Sequence, residues 1–171
     1  MDGSILIWIQ DNIRQEWLTP IMKVITSLGN AGLVWIALSV VLICFRKTRR
    51  AGIGCAIALI CSLIINNLIL KNLVARTRPY EVVDGLKLLV AKASDYSFPS
   101  GHSGSSFAAS VVMLRLLPKK FGIPAIILAT LIALSRLYVG IHYPTDVLAG
   151  VITGTICGII AIKITKKVSI A

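Results

Sequence analysis

Three clusters of residues between Lys71 and Asp146 could carry chemistry. In one of them Ser135-Arg136 is followed by His142 and, four residues later, Asp146. That spacing lets the carboxylate reach one imidazole nitrogen, which would fix the tautomer and leave the other nitrogen as a nucleophile. Asp146 could equally serve only as an acid near a helix N-terminus. Another cluster is Pro99-Ser100-Gly101-His102. Ser100 suits a helix N-cap, Gly101 lets a ligand come close to the backbone, and the free N–H groups behind them favour an anion. His102 would stand beside that anion to give or take a proton, and the plainer alternative is a capped helix with a satisfied histidine. The remaining pair, Lys71 and Arg78, is seven residues apart, so both project from one face if a helix continues to Pro79, which would end it. Taken alone, these two cations could simply snorkel at a membrane interface.

Together the clusters are more specific than any one of them. Lys71, Arg78 and Arg136, with a helix N-terminus, suit a tetrahedral dianion, and arginine offers bidentate geometry to it. The chain has only two histidines, and both fall among these cations. With Asp146 they supply a nucleophile, an acid and an orienting group, an inventory that fits phosphoryl transfer. No carboxylate cluster suited to Mg²⁺ accompanies them, so no metal is expected.

The elements that must position these residues are membrane helices. A mean hydropathy of +0.85, with 56% hydrophobic and 15% charged residues, is too apolar for a soluble globule of 171 residues. Five apolar segments could span a bilayer, at about 31–45, 51–70, 101–117, 123–139 and 147–162. The charges between them are segregated. Arg46, Lys47, Arg49 and Arg50, then Lys119 and Lys120, then Lys163, Lys166 and Lys167 occupy alternate ends without any acid among them. All seven acidic residues lie on the other side. The positive-inside rule therefore puts the basic clusters in the cytoplasm and the chemistry-bearing residues outside. The net charge of +11 is thus topological, and no nucleic-acid partner is expected. In residues 4–28 apolar positions recur near helical spacing, interrupted by Asp11, Arg14, Glu16 and Lys23 and broken at Pro20. This predicts one or two amphipathic helices lying at the outer interface and anchored by Trp8 and Trp17, with a sixth span as the alternative. Cys44, Cys55, Cys61 and Cys157 sit in apolar runs and are expected to be free thiols. No cleavable signal peptide is expected from the short first apolar run.

Lys71 with Arg78-Pro79, Pro99-Ser100-Gly101-His102, and Ser135-Arg136 with His142 and Asp146 resemble the three-part signature of the type 2 phosphatidic acid phosphatase family, in order and at the family's spacing. The resemblance covers Lys71 to Asp146 and extends in hydrophobic layout to small bacterial members, among them undecaprenyl-diphosphate phosphatases. The apolar segments and the charge pattern give a single all-α domain over 1–171, with 1–28 an interfacial segment and 31–165 a five-span bundle, whereas larger membrane members of the family usually carry six spans. The resemblance implies that His142 attacks phosphorus to give a phosphohistidine, that Asp146 orients it, and that His102 protonates the leaving oxygen and then activates water. Lys71, Arg78, Ser100, Gly101 and Arg136 would hold the phosphoryl oxygens. No cofactor is implied. The expected partners are membrane lipids and a lipid phosphate or diphosphate substrate, met at the extracytoplasmic face of the plasma membrane. Arg76, Lys87 and Lys92 could steer such head groups. Undecaprenyl diphosphate is the favoured substrate, ahead of phosphatidylglycerophosphate and phosphatidic acid. A lipid carrier or flippase, binding head groups without bond cleavage, is the alternative from another class, and a halide-oxidising enzyme with the same anion site is a third.

Overall fold

The computed structural model describes residues 2–167, so residues 1 and 168–171, the ends of the expected 1–171 domain, lie outside the description. The described residues form helices and connecting turns without strands. In chain order they are α1 (Asp2–Asn12), α2 (Leu18–Leu28), α3 (Leu33–Cys44), α4 (Arg49–Ser62), α5 (Lys71–Val74), α6 (Pro79–Val82), α7 (Gly101–Leu116), α8 (Lys119–Tyr138) and α9 (Pro144–Lys167). A π-helical stretch, Leu63–Leu70, joins α4 to α5 without a break, so one long rod runs on to Val74.

α7 is the central element, packed against α4, α8 and α9. Small residues let α9 approach it. A Cβ added to Gly150 would lie 2.5 Å from the Ser100 carbonyl oxygen, and one on Gly154 would lie 2.3 Å from that of Gly104. Backbones this close exclude any larger residue, the device that membrane helices use where lipid offers no hydrophobic drive to associate. Trp35 of α3, fully buried, donates its indole N–H to Ser106 Oγ of α7 at 2.9 Å. Ala58, Ala108, Val112, Ile132 and Cys157 belong to the same buried core. The outward faces are apolar too: Ile127, Leu134, Leu148, Ile152 and Ile156 are exposed. An apolar belt around an apolar core is the pattern of a chain surrounded by lipid.

Three helical stretches are long and apolar enough to cross a membrane: Arg49–Val82, Lys119–Tyr138 and Pro144–Lys167. A fourth crossing exists if Leu18–Leu28 and Asn30–Cys44, bent by 47° at their junction, count as one. α7, at 16 residues, is only about 24 Å long at the usual rise, short of a full hydrocarbon core. Its Ser- and Gly-rich face is shielded by α4 and α9 rather than by lipid.

Two details depart from the sequence reading. Lys71 and Arg78 do not share a helix face: the rod stops at Ala75, whose φ of 47° is left-handed, and Arg78 is extended. Pro79 then begins α6 instead of ending a helix. The cause is local, because a residue before proline is forced out of the helical region and proline itself suits the first helical position. Pro20 likewise lies in the first turn of α2, and the chain breaks between Asn12 and Leu18 instead.

Candidate active site

The last turn of the rod, which carries Lys71, the N-terminus of α7, the last turn of α8 and the first turn of α9 meet at one end of the bundle. A backbone hydrogen bond seals the junction, with Ser100 N–H donating to the Asp146 carbonyl at 3.0 Å. Ser100 caps α7 as expected, its Oγ accepting from Ser103 N–H. The space beside Gly101 is taken by Asn67 of the π-helical stretch, 3.1 Å from where a Cβ would stand. π-Helical insertions of this kind are frequent at functional sites.

His142 sits in the tight turn between α8 and α9, 1% exposed. Its Nδ1 faces Asp146 Oδ2 at 3.6 Å, an ion-pair distance slightly beyond a closed hydrogen bond. Asp146, fully buried, is held from three other sides. Arg76 Nη1 donates to Oδ1 at 2.7 Å, Ser97 Oγ donates to Oδ2 at 2.5 Å, and the Tyr143 N–H donates to Oδ2 at 2.9 Å. A carboxylate so fixed favours the tautomer with its proton on Nδ1, which leaves the Nε2 lone pair free. Arg78 Nη1 lies 3.4 Å from that Nε2. Burial, reinforced by the Arg136 and Arg78 cations and opposed by Asp146, pushes the His142 ring down to about 4. The ring is therefore neutral, with its lone pair available, throughout the neutral range.

Three cations line the same cavity as this ring. Lys71, Arg78 and Arg136 are 6%, 4% and 6% exposed, a concentration of positive charge that a buried site tolerates only with anions at hand. Asp95 provides one, ion-paired to both Lys71 Nζ and Arg78 Nη2. Arg78 is further fixed by donating to the carbonyls of Asp95 (2.9 Å) and Ile141 (3.0 Å). Arg136 Nη1 donates to Thr26 Oγ1 at 2.6 Å, while its buried Nε has no partner among the described residues. His102 joins these groups, its Nε2 3.1 Å from Asn30 Oδ1. Lys71, Arg78, His102, Arg136 and His142 all line a cavity of about 670 Å³ that continues between α3 and α4 along Val40, Ile43 and Leu59. One end of the cavity is thus cationic and the other apolar, complementary to an anionic head on a hydrocarbon tail.

All eight residues singled out from the sequence fall at this end of the bundle. Other residues of the assembly, Ser97 and Asn67 among them, have no assigned part in the sequence reading. Asp95 enters the sequence reading only as an acid on the outer side, and its place in a loop between two cationic motifs is the signal that points to it. Arg76, expected to steer ligands from a loop, instead pairs with Asp146 and Asp2 and stacks 3.8 Å from the Tyr143 ring centroid. Thr26, an ordinary polar residue of the amphipathic segment, and Asn30, just beyond it, carry no signal in the sequence.

Residues 51–170 match the PAP2 superfamily, and the chain belongs to that superfamily. An undecaprenyl-diphosphatase of Sulfolobus acidocaldarius is 36% identical over 131 residues, covering 77% of this chain and 63% of that protein. The chain therefore spans less than two thirds of the length of that relative. Among solved structures, Aquifex aeolicus LpxE superposes with a TM-score of 0.84 at 26% identity, covering 95% of this chain and 94% of the other. A PAP2-type phosphatidylglycerolphosphate phosphatase of Bacillus subtilis does so with a TM-score of 0.80 at 29% identity, covering 98% and 86%.

Proposed function

We propose that this chain is a lipid phosphatase that hydrolyses a lipid phosphate or diphosphate through a phosphohistidine at His142. The observation that carries the reading is the neutral Nε2 of His142, backed by Asp146 and joined by Lys71, Arg78 and Arg136, at the mouth of an apolar cavity. The cations and the N-terminus of α7 bind the terminal phosphoryl group, replacing Asp95 as their anion. Nε2 attacks phosphorus, the bond to the leaving oxygen breaks, and His102 supplies that oxygen with a proton. His102 then takes a proton from water, whose oxygen attacks phosphorus and returns the electron pair to His142. Ser100, Gly101 and the three cations stabilise the charge that develops on the equatorial oxygens.

The favoured substrate is undecaprenyl diphosphate, by similarity to the Sulfolobus enzyme, with phosphatidylglycerophosphate and phosphatidic acid as competitors. The favoured topology has five crossings, α3, α4 with its π-helical extension, α7, α8 and α9, in the plasma membrane. α1 and α2 lie at the outer interface, and the site faces the extracytoplasmic side. Its support is the placement of the Arg46–Arg50, Lys119–Lys120 and Lys163–Lys167 clusters at the opposite end of the bundle from His142.

Phosphate release from prenyl diphosphates, phosphatidylglycerophosphate, phosphatidate and lipid A by the purified chain tests the activity and ranks the substrates. Undecaprenyl diphosphate should give the highest kcat/KM, and His142→Ala should abolish release while the protein stays folded in detergent. A carrier or flippase forms no bond to His142, so an inert wild-type chain that still binds these lipids would favour that alternative.

A further inference from the structure

The side chains that steady the site do not all come from the stretch that matches the family. That match begins at residue 51, yet the bend between α2 and α3 enters the cluster twice. Thr26, buried in the last turn of α2, accepts from Arg136. Asn30 brings its side-chain oxygen to 3.1 Å from His102 Nε2. Two consecutive left-handed residues, Ala31 (φ 49°) and Gly32 (φ 67°), form the bend that sets Asn30 there. A non-glycine residue in that region is a strained arrangement, kept only where the surroundings enforce it. Gly29 closes the grip: a Cβ there would lie 2.5 Å from His102 Cδ2 and 2.8 Å from Ile132 Cγ2. One edge of the His102 ring is therefore fixed by the backbone at 29 and the side chain at 30.

We propose that Asn30 is a positioning residue for proton transfer, holding the Nε2–H of His102 so that Nδ1 is the nitrogen that exchanges protons with the substrate. The proposal rests on the phosphatase reading above. In the first step the P–O bond to the leaving group breaks as the P–N bond to His142 forms, and the departing oxygen takes the Nδ1 proton. In the second, Nδ1 takes a proton from water as the water oxygen bonds phosphorus and the P–N electron pair returns to His142. The Asn30 oxygen accepts Nε2–H before and after both steps. It thereby stabilises the imidazolium and the productive neutral tautomer, and disfavours the tautomer protonated on Nδ1 alone. Second-layer acceptors that fix a histidine tautomer act this way at metal sites. The charged and titratable groups facing His102 are Arg136 of α8, His142 of the α8–α9 turn, Lys71 of the α4–α5 rod and Arg78 of the following loop, the last pair held by Asp95. None of them is altered by a substitution at 30.

The test compares wild type, Asn30→Leu and Asn30→Asp, as purified full-length protein, on dioctanoyl phosphatidate and on p-nitrophenyl phosphate. Phosphatidate expels a poor leaving group that needs the acid, and p-nitrophenolate leaves without help. Asn30→Leu should lower kcat/KM on phosphatidate roughly 100-fold, the scale of a misplaced catalytic group, and on p-nitrophenyl phosphate less than about tenfold, with the alkaline limb of the pH profile at lower pH. Asn30→Asp keeps an acceptor and adds a charge that favours imidazolium, so it should recover most of the rate and carry that limb to higher pH. Equal losses on both substrates with unmoved limbs, or no loss, overturn the proposal while leaving the phosphatase reading intact. A wild-type chain inert on both substrates overturns both. Should Asn30→Leu fail to fold, the Asn30→Asp limb decides: a rise supports the proposal and an unmoved limb overturns it.

Discussion

The chemistry of the proposed reaction is concentrated in a few side chains whose charges must balance. Asp95 has the same two partners, Lys71 and Arg78, that a phosphoryl dianion requires. Burial alone would raise its pKa, but the paired ammonium and guanidinium hold it below the usual carboxylate range, so it competes with substrate as an anion at neutral pH. Asp95→Asn removes the competitor, and the KM for lipid phosphate and the inhibition constant for vanadate should each fall by about threefold to tenfold. A rise in both would show that Asp95 aims the cations instead of contesting them. His142 sets the acid side of the pH dependence. Its ring is depressed by burial to about 4, and only the neutral ring attacks. The acid limb of kcat/KM that belongs to His142 should accordingly lie near pH 4, not near the 6.5 of a free imidazole. Asp146→Asn should lower kcat by about 10²–10⁴-fold, the cost of losing the carboxylate that orients a catalytic imidazole.

At the level of helices, the site depends on how closely α9 lies against α7. Gly154 faces the Gly104 backbone at a distance no side chain fits, and the neighbour cannot yield because it is main chain. Gly154→Val should cost at least about 1–3 kcal/mol, visible as a lower Tm in detergent. The substitution should also lower activity, since Asp146 rides on the same helix. Retained stability would mean that α7 and α9 pack differently. The glycines at 150, 154 and 158 were present in the sequence as a four-residue repeat, but a repeat of small residues names a contact face without naming its partner. The π-helical stretch at Leu63–Leu70 was not legible, because an extra residue in a helical turn leaves the apolar pattern almost unchanged. The Lys71–Arg78 spacing pointed to a shared helix face, whereas the two cations meet through a left-handed residue, an extended segment and Asp95.

For the whole molecule, the segregation of charge was the most informative property of the sequence. It assigned the residues around His142 to one end of the bundle, and the chain fold brings them together there. What it could not supply was the role of residues 2–32. The amphipathic pattern of residues 4–28 indicated only a segment at the outer interface, yet Asp2, Arg14, Thr26 and Asn30 bind residues of the site or the loops beside it. Such links join residues more than 70 positions apart, which no local periodicity encodes. The orientation of the bundle is testable in intact cells with a membrane-impermeant maleimide. In a Cys44→Ser background, Asp84→Cys should be labelled from outside and Lys119→Cys should not, and the reverse would place the site in the cytoplasm. The proposed reaction itself is tested most directly by rapid acid-free quenching of the purified protein with substrate labelled on its terminal phosphate. An alkali-stable, acid-labile phosphoprotein should form within a turnover and be absent from His142→Ala. Turnover without any such adduct, or an adduct that persists in His142→Ala, would contradict a phosphohistidine at this position.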